Sequence, residues 1–117
     1  MRTFIADAKA NVRSALALLL EQVPRFEIVG ETADHLGLLQ AVRRQTPDLL
    51  LLDWELPGLE AKHLLHLLRY EQPSLLVVAL SSRPEAETAA LEAGVNAFIS
   101  KGALPERVLM AVIDLLP

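Results

Sequence analysis

Residues 47–58 read Pro47-Asp48-Leu49-Leu50-Leu51-Leu52-Asp53-Trp54-Glu55-Leu56-Pro57-Gly58. Four consecutive leucines between two aspartates are typical of a strand covered on both faces, as the inner strands of parallel sheets are. Asp53 is then expected at the carboxyl edge of that sheet, where open α/β sheets bind ligands. Pro57-Gly58 signals a turn, so the strand should end within a few residues of Asp53.

Polar residues also end or follow three other apolar runs. Asp7 follows Phe4-Ile5-Ala6, Ser81 follows residues 75–80, and Lys101 follows residues 96–100. Taken alone, Asp7 or Ser81 has a simpler use as the cap of the next helix. Because the carboxyl ends of parallel strands share one edge, however, two acids, a hydroxyl and an ammonium are predicted to form one polar site.

Strand-like and helix-like segments alternate along the whole chain. The predicted strands lie near residues 3–7, 26–31, 48–53, 75–80 and 96–100, and the predicted helices near 10–22, 34–45, 59–71, 84–92 and 104–115. Pro84 and Pro105 fall in first helical turns, where the missing N–H is harmless, and Gly94 is placed as a helix C-cap. Five such units with short connections predict a doubly wound α/β sheet with right-handed crossovers.

Composition narrows the class of protein. A chain of 117 residues with 52% hydrophobic residues is expected to form one domain with one core. The absence of cysteine excludes disulfides, thiol nucleophiles and zinc–thiolate sites and is typical of a reducing, cytoplasmic setting. A net charge of −4 argues against direct nucleic-acid binding, and no segment is predicted to be a signal peptide or membrane span.

Taken in order, these residues resemble the receiver domain of bacterial response regulators, the CheY-like family, over nearly the whole chain. Residues 7–21 run without a gap along the family's acid-pair strand end and first helix. The resemblance implies a flavodoxin-like (βα)5 three-layer sandwich with parallel strand order 2-1-3-4-5. It also implies that residues 1–117 are one receiver domain, either a stand-alone protein or the N-terminal part of a longer regulator.

The same resemblance assigns roles to four residues. Asp53 corresponds to the phosphoacceptor, and Lys101 to the lysine that pairs with a phosphoryl oxygen. Ser81 corresponds to the switch hydroxyl, which donates a hydrogen bond to another phosphoryl oxygen. Phe98 corresponds to the switch aromatic, expected to enter the space that Ser81 leaves and so to alter the surface of the fourth helix, fifth strand and fifth helix.

A magnesium site is implied as well, with one departure from the family. Its ligands would be Asp7, Asp53 and the backbone carbonyl of Glu55. The family usually has two adjacent acids after the first strand, and Ala8 stands where the second, the direct metal ligand, is expected. We therefore expect Mg²⁺ affinity lowered by about 10- to 100-fold. Two substitutes stay open: Asp7 moves inward, or Glu55 lends its side chain.

Three functions follow from these observations. The first is a two-component receiver that a sensor histidine kinase phosphorylates on Asp53. It would switch a partner-binding surface, with a homodimer left open, and regulate transcription through an output domain outside these residues. The second is a phosphorylation-independent pseudo-receiver, a protein-interaction module, which Ala8 favours. The third is an aspartyl-phosphate hydrolase with Glu55 as second acid, disfavoured because 117 residues leave no room for the cap segments of such enzymes. No enzymatic activity is expected beyond self-phosphorylation and self-dephosphorylation.

Overall fold

The computed structural model describes all residues, Met1–Pro117, as one parallel sheet flanked by five α-helices. The strands are β1 (Arg2–Ala6), β2 (Glu27–Thr32), β3 (Leu49–Asp53), β4 (Leu76–Ser81) and β5 (Ala97–Ser100). The helices are α1 (Ala10–Leu20), α2 (His35–Gln45), α3 (Ala61–Glu71), α4 (Glu87–Ala93) and α5 (Pro105–Ile113). The sheet order β2-β1-β3-β4-β5 confirms the predicted topology.

The central strand β3 contributes to both layers of the core because successive side chains point to opposite faces. Leu50 and Leu52 pack in the cluster formed with α2, α3 and α4, whereas Leu49 and Leu51 pack in the cluster formed with α1 and α5. All four leucines are fully buried, and burial of each contributes about 1.5–3 kcal/mol. The unbroken apolar run is therefore a strand covered on both faces, as predicted.

Four helix boundaries differ from the prediction by two or three residues. Helix α5 ends at Ile113, two residues early, and α4 begins at Glu87, three residues late, because Pro84–Ala86 form a 3₁₀ turn. Helix α1 ends at Leu20 because the amides of Gln22 and Val23 bond three residues back, as Val23 N does to the carbonyl of Leu20 at 3.0 Å. Helix α3 begins at Ala61 because the two positions that shape its approach are not helical: Gly58 has φ +119°, and Glu60 has ψ 137°. Each difference reflects a local backbone conformation that hydrophobic periodicity does not report.

The loop after β3 is braced by the start of α2. The backbone N and the ring Nδ1 of His35 both lie 3.3 Å from the carbonyl oxygen of Pro57. The His35 ring also lies against the Cα of Gly58, so a Cβ at that position would overlap the ring. The positive φ of Gly58 and this close approach both require glycine. The turn that follows Asp53 is therefore held in one path.

The opposite edge of the sheet, at the amino ends of the strands, carries both chain termini. An open hollow of about 660 Å³ lies there, lined by Met1, Arg25 and Asp48 together with Leu116 and Pro117. The Met1 ammonium donates a hydrogen bond to the carbonyl of Arg25. None of the helices has the length and apolar character needed to cross a membrane.

Candidate functional site

Polar side chains gather at the carboxyl edge of the sheet. Asp53 ends β3 and Ser81 ends β4, while Asp7 and Lys101 are the residues after β1 and β5. Asp7, Asp53 and Ser81 are 1%, 4% and 0% exposed, so all three belong to the interior. Buried polar groups at these positions need partners, because an unpaired one costs several kcal/mol of transfer free energy.

Lys101 bridges the two aspartates. Its Nζ lies 2.9 Å from Oδ2 of Asp7 and 3.1 Å from Oδ1 of Asp53. Burial alone lowers the pKa of the ammonium, but hydrogen bonds and charges from Asp7 and Asp53 outweigh it, so the pKa of Lys101 is raised above its ordinary value. The lysine is therefore a fixed positive charge between two buried carboxylates.

The two oxygens of Asp53 have different surroundings. Oδ1 accepts from Lys101 and also from the backbone N of Glu55 at 3.0 Å. Oδ2 has only a long contact of 3.4 Å with the backbone N of Ala8. Oδ1 thus anchors the side chain, and Oδ2 keeps lone pairs available for a ligand or a reaction.

Asp7 is held in place from its own loop and from a neighbouring strand. Its Oδ1 accepts from the backbone N of Lys9 at 2.9 Å, within the turn that precedes α1. Its carbonyl oxygen accepts from Nη1 of Arg13 at 2.7 Å, and Arg13 Nε bonds Glu31 of β2 at 2.8 Å. Helix α1 has Lys9 as its N-cap residue and no side-chain cap, so Asp7 does not cap this helix; its contact with Lys9 closes the turn before it. Arg13 is a supporting residue that the sequence did not single out.

Ser81 is close to the cluster but bonds elsewhere. Its Oγ donates to Oε2 of Glu55 at 2.7 Å, and the backbone N of Ser82 donates to Oε1 of Glu55 at 3.2 Å. Arg83 Nη2 lies 3.9 Å from the same carboxylate. The sequence placed Glu55 near a metal and Ser81 near a phosphoryl group but did not pair them, because nothing local links residues 26 positions apart.

Phe98 and Trp54 flank the site without entering it. Both are half-buried and pack against the core cluster on the α2, α3 and α4 side of the sheet. Phe98 also lines an open hollow of about 510 Å³ between Pro84 and α5. The backbone N of Trp54 donates to the carbonyl of Leu80 at 2.7 Å, which fixes the residue next to Asp53. Phe98 thus contacts the core cluster on one side and the open hollow on the other.

The donor set for a cation consists of two carboxylates. No three acidic, histidine or cysteine side chains come together as a metal-binding group. The Glu55 carboxylate is hydrogen-bonded to Ser81 and Ser82 in this structure. Mg²⁺ keeps several waters and is often held by one or two carboxylates, so the arrangement of Asp7 and Asp53 is compatible with a magnesium ion.

Sequence comparison gives a family and several relatives. The family model described as response regulator receiver domain matches residues 3–113. A protein-glutamate methylesterase/protein-glutamine glutaminase of Cereibacter sphaeroides is 32% identical over 105 residues, which are 87% of this chain and 28% of the relative. The Fimbriae Z protein of Escherichia coli K12 is 31% identical over 99 residues, 83% of this chain and 47% of the relative. The chain thus spans less than half the length of these curated relatives.

Solved structures show the same fold. The isolated REC domain of RcsB from Salmonella enterica serovar Typhimurium, in the presence of the phosphomimetic BeF3⁻, has a TM-score of 0.91 at 24% identity, with 98% of this chain and 87% of that chain covered. The signal receiver domain of NarL from Mycobacterium tuberculosis has a TM-score of 0.86 at 26% identity, covering 97% and 94%.

Proposed function

Because this chain belongs to the response regulator receiver family, we propose that Asp53 accepts a phosphoryl group from a sensor histidine kinase or a small phosphodonor. The observation that carries the proposal is the asymmetry of the Asp53 carboxylate. Lys101 and the backbone N of Glu55 hold Oδ1, whereas Oδ2 has a single contact of 3.4 Å. A carboxylate that is anchored by one oxygen and open at the other suits a nucleophile.

In the proposed reaction, Asp53 Oδ2 attacks phosphorus and forms an O–P bond. The P–N bond of phosphohistidine, or the P–O bond of acetyl phosphate, breaks, and the leaving group departs with the bonding electron pair. A carboxylate is a weak nucleophile, so the rate depends on positioning and on neutralising charge at the phosphoryl oxygens. Lys101 supplies a fixed ammonium, and the backbone N–H of Ala8 is a further donor beside Oδ2.

Asp7, Asp53 and the Glu55 carbonyl are the groups that would hold Mg²⁺. When bound, the ion would neutralise charge on the phosphoryl oxygens. With Ala8 in place of an acid, the site has one carboxylate fewer than the family pattern, and the expected loss of about 10- to 100-fold in Mg²⁺ affinity stays a prediction. Lys101 already contacts both carboxylates, so part of the charge compensation comes from the chain itself.

The proposed consequence of phosphorylation is a change of surface. Ser81 would turn toward the phosphoryl group, and Phe98 would move into the space it leaves. Phe98 is suited to this role because it lies half-buried beside the hollow that α5 borders. A receiver of this kind would act on a partner, a second copy of the chain, or an output domain that regulates transcription. The share of 28–47% that this chain spans of its relatives is consistent with such a larger regulator.

A pseudo-receiver is the second candidate, favoured by Ala8. Intact mass after incubation with acetyl phosphate, with and without Mg²⁺, separates the two. We expect a gain of one phosphoryl group that hydroxylamine removes and that Asp53→Asn abolishes. The matched control Asp114→Asn replaces an exposed aspartate at the end of α5 and should still be phosphorylated. No gain at any Mg²⁺ concentration, in protein shown to be folded, would refute the receiver proposal and favour the phosphorylation-independent module instead.

A further inference from the structure

We propose that Glu55 is a positioning residue that competes with the phosphoryl group for the switch hydroxyl. Its carboxylate accepts the Ser81 Oγ hydrogen bond at 2.7 Å and the Ser82 backbone N–H at 3.2 Å. This contact, the Glu55 latch, would have to open each time Ser81 turns to a phosphoryl group on Asp53. The inference rests on the proposed function and adds a residue that sets how readily the switch operates.

The competition follows from the number of protons on a serine hydroxyl. Ser81 Oγ has one proton, which it donates to Glu55, and its lone pair accepts the backbone N–H of Arg83 at 3.0 Å. Phosphoryl oxygens on an aspartyl phosphate are acceptors, so they need that same proton. Ser81 is 0% exposed, so bulk water does not reach the hydroxyl as a substitute partner. One donor therefore serves either Glu55 or the phosphoryl group.

Charge determines whether Ser81 donates to Glu55 or to the phosphoryl group in the unmodified and phosphorylated states. The Ser81 contact is a short O–H···O⁻ bond, a class roughly twice as strong as neutral hydrogen bonds, so the latch is closed when Asp53 is unmodified. A phosphoryl group has a charge of about −1.5 to −2 and three strong acceptor oxygens, more than the carboxylate offers. The phosphoryl group can thus take Ser81 from Glu55.

Release would also free the start of α4. The backbone N–H of Ser82 loses its carboxylate acceptor, and Arg83, whose side chain is 59% exposed, loses the same carboxylate 3.9 Å away. These two residues lead directly into the 3₁₀ turn Pro84–Ala86 that precedes α4. The latch would therefore link the hydroxyl beside the phosphoacceptor to the backbone that begins α4.

The experiment is a thermodynamic cycle with beryllium fluoride as the phosphoryl mimic, in saturating Mg²⁺, followed by fluorescence of Trp54, the only tryptophan. We expect Glu55→Ala to tighten beryllium fluoride binding about tenfold, or about 1.4 kcal/mol, when Ser81 is present. In a Ser81→Ala background, the same substitution should change affinity less than about twofold. Glu55→Gln, which keeps an acceptor without the charge, should lie between.

The cycle is needed because removing any negative charge favours an anionic ligand. If Glu55→Ala changes beryllium fluoride affinity equally in both backgrounds, the effect is general electrostatics and the latch is refuted. Weaker binding of beryllium fluoride by Glu55→Ala with Ser81 present would also refute it. Glu60→Gln removes an exposed charge from the same loop and should leave affinity unchanged. If neither the unsubstituted chain nor any variant binds beryllium fluoride, the proposed function is refuted, and that result alone does not decide whether the latch exists. Amide exchange in the unmodified protein then judges the latch: faster exchange at Ser82 in Glu55→Ala supports it, and unchanged exchange refutes it.

Discussion

Replacing Lys101 by methionine tests whether the ammonium holds the two buried aspartates together. Methionine keeps most of the apolar stem but removes the charge, which leaves Asp7 and Asp53 without their shared cation. Both carboxylates have an oxygen about 3 Å from the same Nζ, so these oxygens lie within about 6 Å of each other. The variant therefore places two like charges together in an interior site.

The expected cost follows from that distance. At an effective dielectric constant of about 20, two unit charges 6 Å apart repel by about 3 kcal/mol. Loss of one partner from a fully buried ion pair costs about 3–5 kcal/mol, and the Lys101 side chain is 21% exposed, so solvent reduces the effect. We expect the free energy of unfolding to fall by about 2–3 kcal/mol at pH 7. A domain with about 5–15 kcal/mol of stability tolerates that loss and stays folded.

Urea unfolding at pH 7 provides the assay. Adding Asp7→Asn to Lys101→Met should return at least about 1 kcal/mol relative to Lys101→Met alone, because it removes one of the two repelling charges. Lys62→Met, at an exposed lysine of α3, should change stability by less than about 0.5 kcal/mol. The electrostatic explanation is refuted if Lys101→Met costs under about 1 kcal/mol or if Asp7→Asn restores none of that loss.

Three further outcomes are expected. The pKa of Lys101 is raised on folding, so the stability that this lysine contributes is complete below the ordinary lysine pKa of about 10.4 and is lost as the pH rises through the higher folded value. In urea unfolding from about pH 9 to 11.5, the free energy of unfolding should therefore fall more steeply for the unsubstituted chain than for Lys101→Met. Parallel decreases in the two proteins would contradict this. Gly58→Ala should cost about 1–3 kcal/mol because of the positive φ and the overlap with His35. Thermal unfolding should separate it from Gly102→Ala, whose Cβ would meet nothing nearer than Ser100 Oγ at 3.8 Å and should change stability by under about 0.5 kcal/mol. Asn96→Ala should cost about 1–3 kcal/mol in chemical denaturation because Oδ1 of Asn96 accepts from the Val77 backbone N at 2.8 Å, whereas Asn11→Ala, at an exposed residue, serves as the neutral comparison.

The sheet and the location of the site could be predicted because both depend on local sequence. The leucines of β3 identify a strand covered on both faces, and a polar residue at each strand end identifies the edge where ligands bind. The predicted helix ends were less accurate where a single residue determines the local backbone conformation. Asp34 does carry a readable signal, because its Oδ1 accepts from the backbone N of Gly37 at 2.9 Å and caps α2, which begins one residue later than predicted.

The pairing of side chains within the site could not be predicted. Glu55 lies in the loop after β3 and Ser81 ends β4, so their contact depends on the lateral register of β3 and β4 and on the path of the loop after Asp53. The same holds for Lys101, which contacts two acids that lie 94 and 48 positions away. Residue type predicted which acidic, hydroxyl and ammonium groups gather at this edge of the sheet, whereas three-dimensional packing determined which donor bonds to which acceptor.

The hollow that contains Met1 and Pro117 determines how far from the nucleophile an attached group would be. A five-residue strand is about 17 Å long, and the termini lie at the end of the sheet away from Asp53. A fluorophore or fused domain joined there would start about one strand length from the carboxylate, beyond direct contact with it. Such an attachment would respond only to motion relayed through the sheet and helices, so labels placed there would detect any such motion without touching the residues of the site.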